Sequence, residues 1–355
     1  MKARVLLILA LGAVVFGVVG AASGGGTSSV KFGKEFLWPI GSAQAASESD
    51  EVQNNLIYHG GNVGDGAIGV EQNPSVYLIW WGPEWKQGFT TPDTDGKLYS
   101  SKTLQTYLQS FFQNVGGSGW ANIQTQYCAY ALAGSMNCNG AGGFVTNPKG
   151  QLKGVWTDTT PVPSPITAYG MGENLVDDPI ASAAVRGMQH FGYHRDATYI
   201  VLTPPGPIAT GQPVYCGYHT QTTGVDGIGN AHRIQYAFIP WLNTNWPGFG
   251  VTGCGMHNVN ATSTAAGNGI FDGWSIVTGH EYSEAVTDPD NFTSIQDGWN
   301  DDQTSENADK CAWADTHDPN GDQNIVLGGK PYAVQPMWSN RAFDKTGSGC
   351  VISER

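Results

Sequence analysis

The strongest chemical signal in the chain lies in residues 269–287, which read GIFDGWSIVTGHEYSEAVT. His280 and Glu284 are four residues apart, so on a helix both side chains project from one face and can bind one ion. Glu281 follows His280 and can polarise a water held beside that ion. Imidazole and carboxylate ligands suit zinc, but also manganese, iron or calcium. The spacing predicts a divalent metal site with His280 and Glu284 as ligands and Glu281 as general base.

The helix that must carry these residues is predicted from its apolar periodicity. Apolar residues recur from Ile270 to Val277 at spacings of three and four, and the pattern ends at Asp288. The stripe then continues into the histidine and glutamates, and buried polar groups are costly unless they are paired or bind a metal. The spacing matches the HExxH zinc helix with a glutamate in place of the second histidine. The alternative is an internally paired or solvated His–Glu cluster at the end of the core.

A third metal ligand is expected from the acidic stretch that follows, residues 298–311. Glu306 and Asp309 would share one face if this piece were helical, and either could complete the site. Glu306 is the preferred third ligand. Four other histidines are predicted to lie in polar loops without ligand spacing: His219, His232, His257 and His317.

The elements before this helix indicate a mixed α/β fold. Two amphipathic helices are expected, one around residues 104–112 and one over residues 177–191. β-Branched and aromatic runs predict strands at residues 75–81, 123–132, 154–157, 197–202 and 234–241. No repeat or linker interrupts residues 55–355, so we expect a single domain with a mixed sheet.

The N-terminus predicts export from the cell. A short basic start and an apolar run over residues 5–19, followed by small residues, are typical of a secretory signal peptide, assigned to residues 1–22. The alternative is a membrane anchor, because the run approaches spanning length. Residues 23–54 are predicted to be a flexible leader or pro-segment. No later stretch is long and apolar enough to span a bilayer, so no stable membrane insertion is expected after processing.

The composition of the chain excludes one class of partner and indicates its compartment. Charged residues make up 13% of the chain and the formal charge is −13, which argues against a nucleic-acid partner.

The chain has six cysteines and no CxxC pair, and an even number in an exported chain favours three disulfides. Sequence alone leaves about 15 pairings open. The preferred one joins neighbours in order: Cys128–Cys138, Cys216–Cys254 and Cys311–Cys350.

Several ordered blocks resemble the phosphate-induced protein 1, or EXORDIUM-like, family. They are HGG, VYLIWWGPEW, YIVLTPPG, YCG, AFIPW, DGWSIVTGHEYSEAVTDP and ENADKC, spread over most of residues 55–311. The resemblance implies an exported protein of the cell wall or apoplast, in a family without a settled activity. Some bacterial members carry the HE-containing helix and several plant members lack it. It places the family's motif residues at His280, Glu281, Glu284, Glu306 and Asp309.

The element order also resembles the zincin metallopeptidase fold, in which mixed strands precede a metal-binding helix. Glu284 stands where zincins have a histidine, and a carboxylate there reduces the Lewis acidity of the ion. The expected function is a secreted metal-dependent hydrolase, peptidase-like, acting on a polypeptide or cell-wall polymer. The alternative is a non-catalytic extracellular module that holds a glycan or a partner with its tryptophan and tyrosine loops.

Overall fold

A computed structural model of the protein describes residues 36–43, 53–61, 68–164, 166, 178–206, 215–244, 248–261, 269–290 and 298–355. The predicted signal peptide and most of the predicted leader lie outside these ranges. The described helices are α1 (Glu84–Gln87), α2 (Ser101–Val115), α3 (Pro179–Phe191), α4 (Asp272–Thr287) and α5 (Asn340–Thr346), with 3₁₀ turns at Ala121–Gln126, Gly269–Phe271 and Asp309–Cys311. The described strands are β1 (Phe36–Leu37), β2 (Ile57–Gly60), β3 (Ser75–Trp81), β4 (Thr90–Pro92), β5 (Leu98–Ser100), β6 (Leu152–Asp158), β7 (Ala197–Leu202), β8 (Gly217–Val225), β9 (Ala231–Ile239), β10 (Gly298–Asn300), β11 (Gln323–Leu327), β12 (Lys330–Val334), β13 (Met337–Trp338) and β14 (Cys350–Val351).

The central sheet has six strands in the order β1-β8-β9-β7-β3-β6. Strands β9, β7, β3 and β6 run parallel, whereas β8 is antiparallel to β9 and β1 is antiparallel to β8. All seven residues of β3 are buried, as expected for a parallel strand covered on both faces. The predicted mixed sheet is confirmed, and residues 33–355 form one compact unit.

The two faces of the sheet support two separate apolar cores. Leu78 and Trp80 of β3 belong to the core that includes residues of α2 and α4. Ile79 and Trp81 point the other way, into the core that α3 covers. This alternation follows from the two-residue repeat of a strand. A side chain on the α4 face therefore belongs to a different core from its neighbour in the same strand.

The three long helices begin for different local reasons. Ser100 caps α2, and Asp178 caps α3 by accepting hydrogen bonds from the N–H groups of Ile180 and Ala181. Helix α4 has no side-chain cap and continues from a 3₁₀ turn. The sheet lies on one side of α4, and α2, β12 and the Ala121–Gln126 turn pack against it from other directions, so all 16 of its residues are buried.

The disulfide pairing predicted from the sequence is confirmed. Sulfur atoms are joined in three neighbouring pairs: Cys128–Cys138, Cys216–Cys254 and Cys311–Cys350. No cysteine is free. Among the described residues, no helix is long and apolar enough to cross a membrane.

Two segments differ from the sequence-based expectation. The strand predicted at residues 123–132 is wrong, because Ala121–Gln126 forms a 3₁₀ turn in which Thr125 Oγ1 donates to the Asn122 carbonyl at 2.8 Å. Such local side-chain bonds compete with a sheet ladder. Phe36–Leu37, inside the predicted leader, forms β1 and pairs with the start of β8. This part of the predicted leader therefore belongs to the fold.

Candidate metal centre

A cluster of six polar side chains lies between α4 and the start of β8. Helix α4 provides three of them, β8 provides one histidine, and the segment around the Asp309–Cys311 turn provides two carboxylates. The relative exposure of each is 2% or less: His219, His280, Glu281, Glu284, Glu306 and Asp309. Ionisable groups at this depth require partners of opposite charge or a bound cation.

His280 faces two carboxylates at the centre of the cluster. Its Nε2 lies 2.9 Å from Glu284 Oε1 and 3.5 Å from Asp309 Oδ1. The backbone N–H of Asp309 donates to Glu284 Oε1 at 3.1 Å, which fixes that carboxylate relative to the 3₁₀ turn. These nitrogen and oxygen atoms lie close enough together to bind one ion. Asp309, rather than the preferred Glu306, is therefore the third group beside His280.

A hydrogen bond behind His280 fixes the orientation of its ring. Gln335 Nε2 donates to the Ala308 carbonyl at 2.8 Å, so Gln335 Oε1 faces His280 Nδ1 at 3.1 Å. An amide oxygen can only accept, so Nδ1 is the donor and Nε2 faces the two carboxylates. Metal-binding histidines are oriented in this way by the hydrogen bond at their other nitrogen.

His219 enters the same cluster from β8. Its Nδ1 lies 3.5 Å from Glu281 Oε2 and 3.3 Å from Glu284 Oε2. Its Nε2 lies 3.1 Å from the Asp288 carbonyl and 3.4 Å from Glu306 Oε1. Glu284 thus directs one oxygen to His280 and the other to His219.

The absence of a side chain at Gly217 makes room for this arrangement. Gly217 and His219 are two residues apart in β8 and face α4 together. A Cβ atom at Gly217 would lie 2.7 Å from Glu281 Oε1 and 2.9 Å from Val277 Cγ1. A larger residue here would displace Glu281, so the glycine sets how closely β8 approaches α4.

The charges of the cluster shift one another's pKa values. Burial alone would lower the pKa of both histidines, but the facing carboxylates, chiefly Glu306 for His219 and Glu284 for His280, raise both well above the ordinary value. Burial would raise the pKa of Glu284, yet the two imidazoles lower it to about 2. Burial raises the pKa of Glu281 to about 7 and that of Glu306 well above its usual range. Glu284 is the carboxylate most strongly held in its charged form.

Several buried atoms of the cluster lack a hydrogen bond. Within the described ranges, neither oxygen of Glu281 nor of Glu306 accepts one. His280 Nε2 lies 2.9 Å from Glu284 Oε1, so the polar atoms of the cluster converge on one buried space. Unsatisfied polar atoms that converge in a buried site are characteristic of a site that binds an ion or an ordered water.

The structure brings together every residue predicted for the site, including Glu306 and Asp309, and adds one that was missed. His219 was expected in a loop but lies in β8, and His232 lies in β9, so both loop assignments are wrong. The sequence around His219, GYHTQTTGV, has the threonine content of a strand but few apolar residues. Its alternation of Tyr218 with Gly217 and His219 was the available signal. No protein-family model, curated protein or solved structure matches the chain.

Proposed function

We propose that the chain is a secreted, metal-dependent hydrolase whose divalent cation, zinc or another, binds His280, Glu284 and Asp309. The observation that carries this proposal is His280 Nε2, which Gln335 orients towards two buried carboxylates, Glu284 at 2.9 Å and Asp309 at 3.5 Å. Three such groups are the usual protein share of a catalytic metal site. The proposal includes a zincin-like fold and a relationship to the EXORDIUM-like family.

In this proposal Glu281 accepts a proton from the attacking water. It follows the ligand His280 directly, and a pKa raised by burial to about 7 suits a group that exchanges protons near neutral pH. The bound cation would supply Lewis-acid polarisation of the scissile carbonyl. A polypeptide is the first substrate to test and a cell-wall polymer the second, since the choice rests on fold analogy.

The burial of the centre favours a second candidate function. His280, Glu281 and Glu284 have relative exposures of 0%, so no atom of the catalytic group is open to solvent. A cation there would then stabilise the fold of a non-catalytic extracellular module that binds a glycan or a protein partner. The two functions share the metal but differ in whether Glu281 matters for turnover.

Metal analysis of the purified protein and of Glu284→Gln tests the shared part. The substitution preserves the shape of the side chain and removes the charge that contacts both imidazoles. We expect bound metal to fall at least about tenfold, because losing a direct ligand should weaken binding at least as much as losing a supporting contact, which typically costs about 10- to 100-fold in affinity. Glu84→Gln, an exposed change on α1, is the matched control and should retain the wild-type metal content. Equal metal in wild type and Glu284→Gln would remove Glu284 from the centre.

Glu281→Gln then separates hydrolase from binding module. Hydrolysis of casein, gelatin and wall polymers is first measured with the wild type from acidic to neutral pH. The variant should fold as the wild type does and lose about 10²- to 10⁴-fold in rate, because an amide cannot accept the proton. Equal rates would refute the role of Glu281. A loaded wild type that cuts none of these substrates would favour the binding module.

A further inference from the structure

Each carboxylate oxygen of Glu284 faces a different histidine, which suggests that the centre has room for two ions. Oε1 lies 2.9 Å from His280 Nε2, and Oε2 lies 3.3 Å from His219 Nδ1. We propose that the centre binds two divalent cations bridged by Glu284, the second one held by His219 and Glu281. This inference rests on the proposed function, since it takes the His280 site as the first of the pair.

The distances around His219 match the spacing of ligand atoms around a shared ion. Its Nδ1 is 3.5 Å from Glu281 Oε2 and 3.3 Å from Glu284 Oε2. Ligand atoms each bonded to one ion at about 2.0–2.2 Å in tetrahedral geometry lie roughly 3.3–3.6 Å from one another. These three atoms all lie within 4.8 Å of one another, as do those of His280, Glu284 and Asp309. Both sets could therefore hold an ion, and they share the Glu284 carboxylate.

The orientation of His219 supports the second set independently. The carbonyl of Asp288 lies 3.1 Å from His219 Nε2 and can only accept a hydrogen bond. A proton on Nε2 leaves the Nδ1 lone pair facing the carboxylates of Glu281 and Glu284. His280 is held in the equivalent way by Gln335. Two imidazoles, each oriented by an acceptor behind it, thus face the same carboxylate from two elements.

The charge of the cluster also favours two cations. Four carboxylates surround the two imidazoles: Glu281, Glu284, Glu306 and Asp309. If all four carboxylates are ionised and both imidazoles are neutral, one divalent cation leaves this buried cluster with two negative charges, which is costly in a low-dielectric interior. A second divalent cation brings the sum to zero. Protons on both imidazoles and on two carboxylates would do the same without metal, and the experiment separates these states.

Two cations are compatible with the catalytic role proposed for Glu281. Oε2 is the oxygen directed towards His219, whereas Oε1 points to the space left by Gly217. A carboxylate that binds through one oxygen retains the other for a proton. The second ion therefore adds a ligand role to Glu281 and leaves Oε1 as the atom that accepts the proton.

The test is the number of Zn²⁺ or Mn²⁺ ions bound per full chain at saturation. The wild type should bind two. His219→Ala should bind one, because it removes the nitrogen ligand between the two carboxylates, and His280→Ala should also bind one. His232→Ala is the matched control, since the side chain of His232 is partly exposed and pairs with Asp226, and it should bind two.

A measurement on the wild type tests the proposal even if a variant does not fold. Two Mn²⁺ ions bridged by a carboxylate interact magnetically, so the electron paramagnetic resonance spectrum of the loaded protein should differ from that of an isolated Mn²⁺ site. A saturated wild type with one ion and an isolated-site spectrum overturns the second cation while leaving the proposed function intact. A wild type that binds no ion overturns both and favours the proton-neutralised cluster.

Discussion

Helices α3 and α4 pack on opposite faces of the same sheet and are stabilised in different ways. Helix α3 buries an apolar stripe of small and aliphatic side chains and exposes its other side to solvent. Helix α4 is buried over its whole length and carries three ionisable groups of the candidate metal centre into its core. On the α3 side of the sheet, apolar burial stabilises the fold directly. On the α4 side, the favourable contacts must first offset the cost of burying charged groups.

The disulfides follow this division. Five of the six cysteines belong to the core on the α4 side and Cys350 packs against it. The α3 core contains none of them. Disulfides stabilise mainly by restricting the unfolded chain, so they add stability without requiring apolar area. The layer that holds the polar centre is thus also the layer that is covalently linked.

The largest expected effect comes from removing the disulfide beside β8. Cys216→Ala with Cys254→Ala opens a link across 38 residues and should lower the free energy of unfolding by about 4 kcal/mol. Because Cys216 precedes Gly217, we also expect weaker metal binding. Denaturant unfolding and metal titration measure the two effects. Unchanged metal affinity would mean that β8 holds its position without the link.

A strongly destabilising substitution in the core under α3 should leave metal binding at the candidate centre unchanged. Met188→Ala removes a fully buried side chain and should cost about 2–5 kcal/mol in unfolding free energy. Metal stoichiometry should equal that of the wild type, because Met188 lies in the core on the opposite face of the sheet. A loss of metal in this variant would show that the two layers are energetically coupled and would break the comparison.

The smallest effect concerns the cap of α3 and depends on pH. Burial raises the pKa of Asp178 to about 6, so the folded state favours the protonated form. Its contribution to stability is present below an unfolded pKa of about 4 and is lost as the pH rises through about 6. Asp178→Asn keeps the cap without the charge. Relative to the wild type, it should gain about 1–2 kcal/mol between pH 4.5 and 7.5, measured by denaturant unfolding. A difference that does not change with pH would contradict this account.

The elements of the core could be predicted because their sequence pattern matches their burial. Strand β3 is a continuous apolar run, and α2 and α3 have helical spacing with capping residues, so local sequence and tertiary environment agree. The helical part of the metal centre followed from the i, i+4 spacing of His280 and Glu284. In each case the information lies within a few consecutive residues.

The remainder of the centre depends on tertiary contacts. His219 is 61 residues before His280, and its role depends on β8 facing α4, which a polar strand pattern does not reveal. The choice of Asp309 over Glu306 beside His280 depends on the 3₁₀ turn at Asp309–Cys311, because an α-helix would have placed both on one face. Strand β1 was missed since two residues are too few to show a period.

If the candidate centre binds a cation, its complete burial also determines how fast that cation exchanges with the surroundings. A cation held among side chains with almost no exposed surface can leave only when part of the protein opens. Its rate of exchange then follows the frequency of that opening and not its equilibrium affinity. A chelator added to folded protein would act slowly, whereas the same chelator present during refolding would act before the centre closes. The metal found in a purified sample would therefore record the ions present when the chain folded.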